Sequence, residues 1–434
     1  PPQGRQRLDH ELDVIHKTGY DTYFLIVWDF VRFCKENNIP AGARGSGCSS
    51  LVGYCVGISS VDPIHYNLMF ERLLHVDRKE MPDFDIDICE RQRGKVIDYV
   101  RQKYGQDNVA QIITFGTLGA RAAIRDVGRV MNMPLAQVDA IAKKIPYQLN
   151  ITLNDALEQE PDLQQMCDND PEVRDLFDIA RRVEGLNRHS STHAAGVVIA
   201  DRPLTEYTPL CRPGGGEVTT QWPMNDVAAI GLLKMDFLGL RTLTIVQTAL
   251  ELIKKTTGED IDIDGVPLDD PETYKLFQTG ETKGVFQFGS SGIRAMLQKL
   301  KPDRFEDLIA ANALYRPGPL QGGMVDEFIK RKHHPEIIKY DHPVLEECLA
   351  ESYGIMATQE QVMLVLHKLA GLSMGRALSL VKAISKKNKP DIEAVRGDFL
   401  EGAVANEVPR SLVERIFEVI EFFGGYVFNR AHST

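Results

Sequence analysis

The stretch Met81-Pro82-Asp83-Phe84-Asp85-Ile86-Asp87-Ile88 alternates acid and hydrophobe without a break, and no other segment constrains the fold of this chain as tightly. Side chains of a strand point to opposite faces with a period of two, so Asp83, Asp85 and Asp87 share one side and Phe84, Ile86 and Ile88 the other. Aspartate is a poor strand former and stacked carboxylates repel, so the row calls for an offsetting charge. A divalent cation taking carboxylate oxygens is the usual agent. A solvated edge strand is the bland alternative. A second segment weighs against it: Gly231-Leu232-Leu233-Lys234-Met235-Asp236-Phe237-Leu238 repeats the alternation, with Lys234 and Asp236 on one face and Leu233, Met235 and Phe237 on the other. Paired beside the first strand, it would add a carboxylate and an ammonium at the same place. Two metals about 3.5–4 Å apart need roughly that ligand count.

A length of 434 residues with 43% hydrophobic content predicts a globular chain of about three domains. The formal charge of −11 excludes a uniformly basic coat, so any nucleic acid must be held by local basic stripes. Seven cysteines are scattered without a C-x-x-C pair, which reads as reduced thiols in a cytosolic protein with neither disulfide framework nor structural zinc. Neither a membrane-spanning apolar run nor a signal-peptide pattern is present, so the expected location is the cytoplasm, with no membrane partner. The chain opens without Met and stops at Phe428-Asn429-Arg430-Ala431-His432-Ser433-Thr434, and it reads as an internal piece of a longer polypeptide.

Residues 6–37 read as two helices, followed by Ala41-Gly42-Ala43-Arg44-Gly45-Ser46-Gly47-Cys48-Ser49-Ser50 leading into a helical stretch at Leu51–Val56. Small residues and hydroxyls where a helix presents unpaired N–H groups suit a phosphate, and Arg44 adds a fork of donors. The helix expected over Leu118–Met131 places Arg121, Arg125 and Arg129 on one stripe, which can hold a nucleic-acid backbone or simply face water. His193 precedes a strand expected at Val197–Ala200, has no zinc-ligand spacing around it, and reads as structural or as a residue that supports the site without touching the substrate. From about residue 246 the pattern is helical, and a segment near 376–389 ends in Lys382, Lys386, Lys387 and Lys389, which on local grounds is ordinary C-terminal helix electrostatics.

These segments, in this order, resemble the catalytic subunits of bacterial DNA polymerase III, the C-family replicative polymerases. The resemblance is carried by Arg44-Gly45-Ser46, Pro82-Asp83-Phe84-Asp85-Ile86-Asp87, His193-Ala194-Ala195-Gly196, Lys234-Met235-Asp236-Phe237-Leu238-Gly239, Gly284-Val285-Phe286-Gln287, Tyr315-Arg316-Pro317-Gly318-Pro319 and Gln359-Glu360-Gln361-Val362-Met363. It implies a mixed, helix-rich α/β fold: a polymerase-beta-like nucleotidyltransferase palm over 1–116 and 193–245, a helical thumb over 117–192, and mainly helical fingers over 246–434, truncated at the C-terminus. Carried over by motif, Asp85, Asp87 and Asp236 would hold two Mg²⁺ ions, Asp83 would stand outside that set, and Lys234 would sit beside the phosphates. Arg44, Gly45, Ser46, Arg316, Lys382, Lys386, Lys387, Asn429 and His432 would face the incoming nucleotide, with Arg121, Arg125 and Arg129 kept for DNA. Where the family often has two arginines, this chain has Val381-Lys382, and lysine lacks the bidentate fork.

The implied activity is template-directed addition of dNTPs to a primer 3′ end, with pyrophosphate release, in chromosomal replication. The implied partners are primer-template DNA and, through the full-length protein, a sliding clamp, a clamp loader and a proofreading subunit. An error-prone paralogue acting in repair, a two-metal nuclease, and a fragment that binds DNA without catalysis are the rival readings.

Overall fold

The computed structural model describes residues 2–76, 81–148, 150–386 and 388–434. Its strands are β1 (Ala41–Arg44), β2 (Asp85–Cys89), β3 (Val109–Thr117), β4 (Asn187–Ile199), β5 (Leu210–Cys211), β6 (Thr219–Pro223) and β7 (Leu233–Leu240), set among many helices. The mixed α/β class expected from the sequence is what forms. The chain divides into two compact units, one of Pro1–Lys103 with Met235–Thr434 and the other of Tyr104–Lys234. No described helix is long and apolar enough to cross a membrane, and all seven cysteines are unbridged.

In the first unit β2 is central. It runs antiparallel to β1, from Ala41 opposite Ile88 to Arg44 opposite Asp85, and parallel to β7, from Asp85 opposite Asp236 to Cys89 opposite Leu240. Both acid-bearing segments therefore lie side by side, joined by the long excursion that a parallel pair requires. Their apolar side chains Ile86, Ile88, Met235 and Phe237 are buried. The helix Asp21–Glu36 covers this face. Its Phe30 ring meets Phe237 edge-on at 4.6 Å, a geometry that contributes about 0.5–1.5 kcal/mol beyond area burial. The helix Arg93–Tyr104 packs from the following segment through Val96, Ile97 and Val100.

The rest of this unit is helical from Pro271 onward, with one core around Leu297, Leu314 and Phe328 and another around Leu366, Leu380, Phe399 and Phe417. A buried ionic network braces the first of these. Asp307, fully buried, receives Lys332 and Arg304 and a hydrogen bond of 2.9 Å from the Tyr353 hydroxyl.

In the second unit the strand order is β4-β3-β6-β5. Helices between Ala120 and Val183 build a separate core on Ile124, Ile141, Leu176 and Phe177. The acidic, Pro-punctuated stretch expected as outer surface is three short helices, Leu153–Gln159, Pro161–Asn169 and Pro171–Val183. Two of them start on proline, whose missing N–H costs nothing at the first helical position.

One expectation needs correction here. The strand expected from Val197 begins ten residues earlier, at Asn187. Residues 187–191 are polar and exposed, so hydrophobic alternation cannot reveal them. They are held by the β3 ladder instead, as far as the pair Thr117–Asn187. The His193 Nδ1 accepts the amides of Ala195 at 3.1 Å and Gly196 at 2.6 Å.

Candidate active site

The parallel register sets Asp85 directly beside Asp236. Each turns a carboxylate toward the same point, and Asp83 adds a third, so that one oxygen from each of Asp83, Asp85 and Asp236 lies within 4.8 Å of the others. Asp83 is exposed, Asp85 half-buried and Asp236 buried. Asp87, a ligand by the family resemblance, stands outside this group. It is buried, its Oδ1 accepts no hydrogen bond, and Arg44 Nη1 lies 3.6 Å from it. Burial raises its pKa, and the Arg44 charge counters that only in part. Asp83, left out by the motif, belongs to the group although the β2 ladders begin only at Asp85.

The Gly/Ser segment forms a 3₁₀ turn, Gly45–Ser49, that runs into the short helix Leu51–Cys55. Gly45 adopts φ +61°, and a Cβ there would stand 3.8 Å from Asp85 Oδ2, so the backbone passes close to the acids at a position suited to glycine. The helix start differs from the expectation that it waits for phosphate. Buried Glu11 already takes it, with Oε2 accepting from Val52 N and Ser50 Oγ, each at 3.0 Å. Arg7 holds Glu11 at 2.9 Å. Gly45 and Ser46, earlier in the turn, remain on a cleft.

That cleft, about 400 Å³ in volume, is walled by Gly45, Ser46, Asp83 and Asp85 on one side and by Phe428, Asn429 and His432 on the other. Arg72 and Leu73 complete it. Asn429 Nδ2 donates to Ser46 Oγ at 3.1 Å and joins the two walls. Asn312 donates to Gln287 Oε1 at 2.8 Å, which fixes the Gln287 amide. Its Nε2 must then donate to His432 Nε2, 2.9 Å away, leaving that ring nitrogen unprotonated. Burial first, then the charges of Arg44 and Arg316, lower the His432 pKa and keep the ring neutral in the same sense. The Arg316 guanidinium lies 4.5 Å over the Phe428 ring, and burial lowers its pKa.

Other candidates lie elsewhere. Lys382 is half-buried on the helix Met374–Ser385, and Lys386 is exposed at its end; Lys387 lies outside the described residues. Lys234 is half-buried in β7, at the end of the second unit.

Also in that unit, Arg121, Arg125 and Arg129 line one face of the helix Ala120–Val130 as expected, but each has a partner. Arg121 donates to the Ile145 carbonyl and stacks 5.2 Å from Tyr147. Arg125 pairs with Asp139 at 2.8 Å and Arg129 with Asp126 at 2.9 Å.

Tyr23, Phe84, Arg72, Gln287 and Phe428 were not assigned roles from the sequence. Phe84 and Gln287 lie inside quoted motifs and Phe428 in the quoted last segment, whereas Tyr23 and Arg72 reach the site only through tertiary contacts.

Comparison with known proteins matches the model of the bacterial DNA polymerase III alpha NTPase domain to residues 1–239 and that of the alpha subunit finger domain to residues 242–407. The chain belongs to the bacterial DNA polymerase III alpha family. It is 46% identical to the DNA polymerase III subunit alpha of Aquifex aeolicus over 99% of this chain and 39% of that protein. Against the subunits of Buchnera aphidicola from Acyrthosiphon pisum and of Escherichia coli K12 the identities are 48% and 46%, over 99% and 100% of this chain. Each of those alignments covers 38% of the relative, so the chain spans about two-fifths of the length of these alpha subunits.

Proposed function

We propose that this chain is the catalytic core of a template-directed DNA polymerase, adding dNTPs to a primer 3′ end with release of pyrophosphate, in bacterial chromosomal replication. The observation that carries the reading is the convergence of the Asp83, Asp85 and Asp236 carboxylates on one wall of a cleft whose next residues are Gly45 and Ser46. Family membership supports it. In this reading residues 1–116 and 193–245 are palm, 117–192 thumb and 246–434 fingers.

The donor set fits Mg²⁺: all its atoms are hard carboxylate oxygens, and the Asp87 Oδ1 is a buried acceptor without a hydrogen bond. Asp83, Asp85 and Asp236 would hold the ions, with Asp87, expected from the motif as a ligand, set beside Arg44. When bound, such a pair supplies charge neutralisation to the phosphates and favours deprotonation of the attacking hydroxyl.

The protein's own groups do the rest. The Gly45–Ser46 backbone and Arg44 receive triphosphate oxygens at positions set by β1. Asn429, tied to Ser46, closes the opposite wall. Neutral His432 offers a neutral edge to the nucleotide, so it adds no charge there. Arg316, stacked on the Phe428 ring, would add a positive charge next to the cleft. Sequence choice lies in template pairing, while the protein grips backbone, so binding weakens steeply with salt. Primer-template DNA and dNTPs are the substrates of this reading. A sliding clamp, clamp loader and proofreading subunit would act with the longer alpha subunit.

The test is pyrophosphate release and primer extension on primed template, with Asp236→Asn as the matched control. Extension that Asp236→Asn abolishes while the fold is retained supports the reading. Shortening of DNA with no pyrophosphate would support the nuclease reading and overturn this one.

A further inference from the structure

Glu360 is an acid that no step of the proposed chemistry uses, yet its side chain is almost wholly withdrawn from water, at 1% exposure. It stands in the first turn of the helix Gln359–Ala370. An anion so placed is costly unless it is paired and hydrogen-bonded, so its partners define what it does.

Its two oxygens go to two different parts of the cleft lining. Oε2 accepts the backbone N–H of Arg430 at 2.9 Å, and Arg430 lies in the chain between Asn429 and His432, which wall the cleft. Oε1 accepts no hydrogen bond among the described residues and lies 3.8 Å from Nε of Arg72, which also lines the cleft. The Asn429–His432 wall has other supports. Gln359 N donates to the Phe428 carbonyl at 2.8 Å and Phe428 N to the Ala357 carbonyl at 3.1 Å, while the Arg430 guanidinium reaches the Tyr66 carbonyl at 2.8 Å and Glu351 at 2.7 Å. Of these groups, Glu360 is the one that also meets a cation of the cleft. Burial raises its pKa, and the Arg72 charge and the Arg430 amide oppose that.

We propose that Glu360 is a positioning residue whose carboxylate, outside the cleft lining, fixes Arg72 relative to the Asn429–His432 wall and so sets where a triphosphate is held. This rests on the polymerase reading of the cleft and deepens it. The sign of the effect separates the role from that of a plain charge. Removing an anion near a triphosphate site would, by Coulomb's law alone, tighten binding; releasing Arg72 from its place weakens it. A purely structural role lowers stability and leaves affinity as it was. Glu360→Gln is nearly isosteric and retains an acceptor for the Arg430 amide, so it removes chiefly the pairing with Arg72.

The experiment is calorimetric titration of inorganic tripolyphosphate with Mg²⁺ into the protein without DNA, for a double-mutant cycle of Glu360→Gln and Arg72→Met. Glu360→Gln is expected to weaken binding on the order of tenfold, short of the roughly hundredfold that an ångström of misplacement can cost. The double variant is expected to bind no more weakly than Arg72→Met alone, because the glutamate acts through that arginine. Unchanged or tighter binding in Glu360→Gln overturns the proposal, and so do losses that multiply in the double. Circular dichroism checks folding. Should Glu360→Gln not fold, Glu360→Asp decides: it keeps the charge and draws the carboxylate back from Arg72, so weakened binding supports the proposal and unchanged binding overturns it. In primer extension Glu360→Gln should raise the dNTP KM and leave kcat near the parent value; a fall in kcat alone overturns the proposal. A coupled cycle in a protein that releases no pyrophosphate from dNTP supports this inference and overturns the polymerase reading alone. A parent protein that binds no tripolyphosphate overturns both.

Discussion

Gly47→Ala tests the packing that ties the Gly/Ser turn to the acid strand. A Cβ built on Gly47 stands 2.8 Å from Phe84 Cδ1, 3.3 Å from Phe84 Cε1 and 3.2 Å from the Ala43 Cβ. Carbon atoms rest at about 3.5–4.0 Å, so the closest contact is short by about 0.7–1.2 Å. Phe84 has nowhere to retreat, since it is 1% exposed and Phe24 and Tyr23 close its other sides. The glycine's φ is not in the left-handed region, so the effect is steric and free of backbone strain. Overpacking of this kind costs about 1–3 kcal/mol. Urea unfolding followed by circular dichroism measures it. Gly397→Ala is the control: it lies in the helix Lys389–Ala405 with nothing within 4 Å of the added carbon, and it should gain about 0.5–1 kcal/mol. Phe84→Leu should partly rescue Gly47→Ala, so that the pair costs less than the sum by about 1 kcal/mol. A Gly47→Ala protein with the parent urea midpoint, or strict additivity with Phe84→Leu, would refute the reasoning.

Lys332→Met strands the fully buried Asp307 carboxylate beside Arg304 alone among its cations, and should cost about 3–5 kcal/mol in the same assay. Burial alone would lower the Lys332 pKa, but its hydrogen bonds to Asp303 and Asp307 outweigh that and leave it raised. Its stabilisation is therefore complete below the unfolded lysine value, about 10.4, and fades as pH rises through the folded value. The alkaline fall in urea midpoint should be present in the parent and absent in Lys332→Met. Asn429→Ala removes both the donor to Ser46 Oγ and the acceptor that caps Ala431 N, and should cost about 1 kcal/mol while raising the dNTP KM. Asn429→Asp keeps the acceptor and loses the donor, so it should raise the KM with little loss of stability; equal destabilisation of the two variants would show that the cap contributes nothing.

The two acid-bearing segments could be read as strands because charged and apolar residues alternate in both, and the self-repulsion of the aspartate row pointed to a shared cation that a second acid-bearing strand would help to hold. The helices of the first 40 residues were equally open to reading, their apolar faces repeating at helical spacing. Polar β4 was not: residues 187–191 carry no hydrophobic period, and only the β3 ladder makes them a strand. Glu11 was also invisible. It sits in an ordinary amphipathic helix, and nothing local announces that its carboxylate closes the start of a helix 40 residues later.

The choice among the three aspartates marks where periodicity stops carrying information. A period of two treats Asp83, Asp85 and Asp87 as equivalent, and that equivalence holds only while the strand lasts. Ladder pairing begins at Asp85, so Asp87 takes a ladder position opposite Gly42, with its carboxylate 3.6 Å from Arg44, while Asp83 lies ahead of both ladders. The Phe84 ring, on the residue between Asp83 and Asp85, is the one that blocks a Cβ on Gly47. One buried aromatic therefore sets both the height of the Gly/Ser turn and the backbone between two acids, and a change at either end should be felt at the other. A strand pattern alone cannot encode such a coupling, because it depends on which side chain from a distant helix fills the space behind the turn.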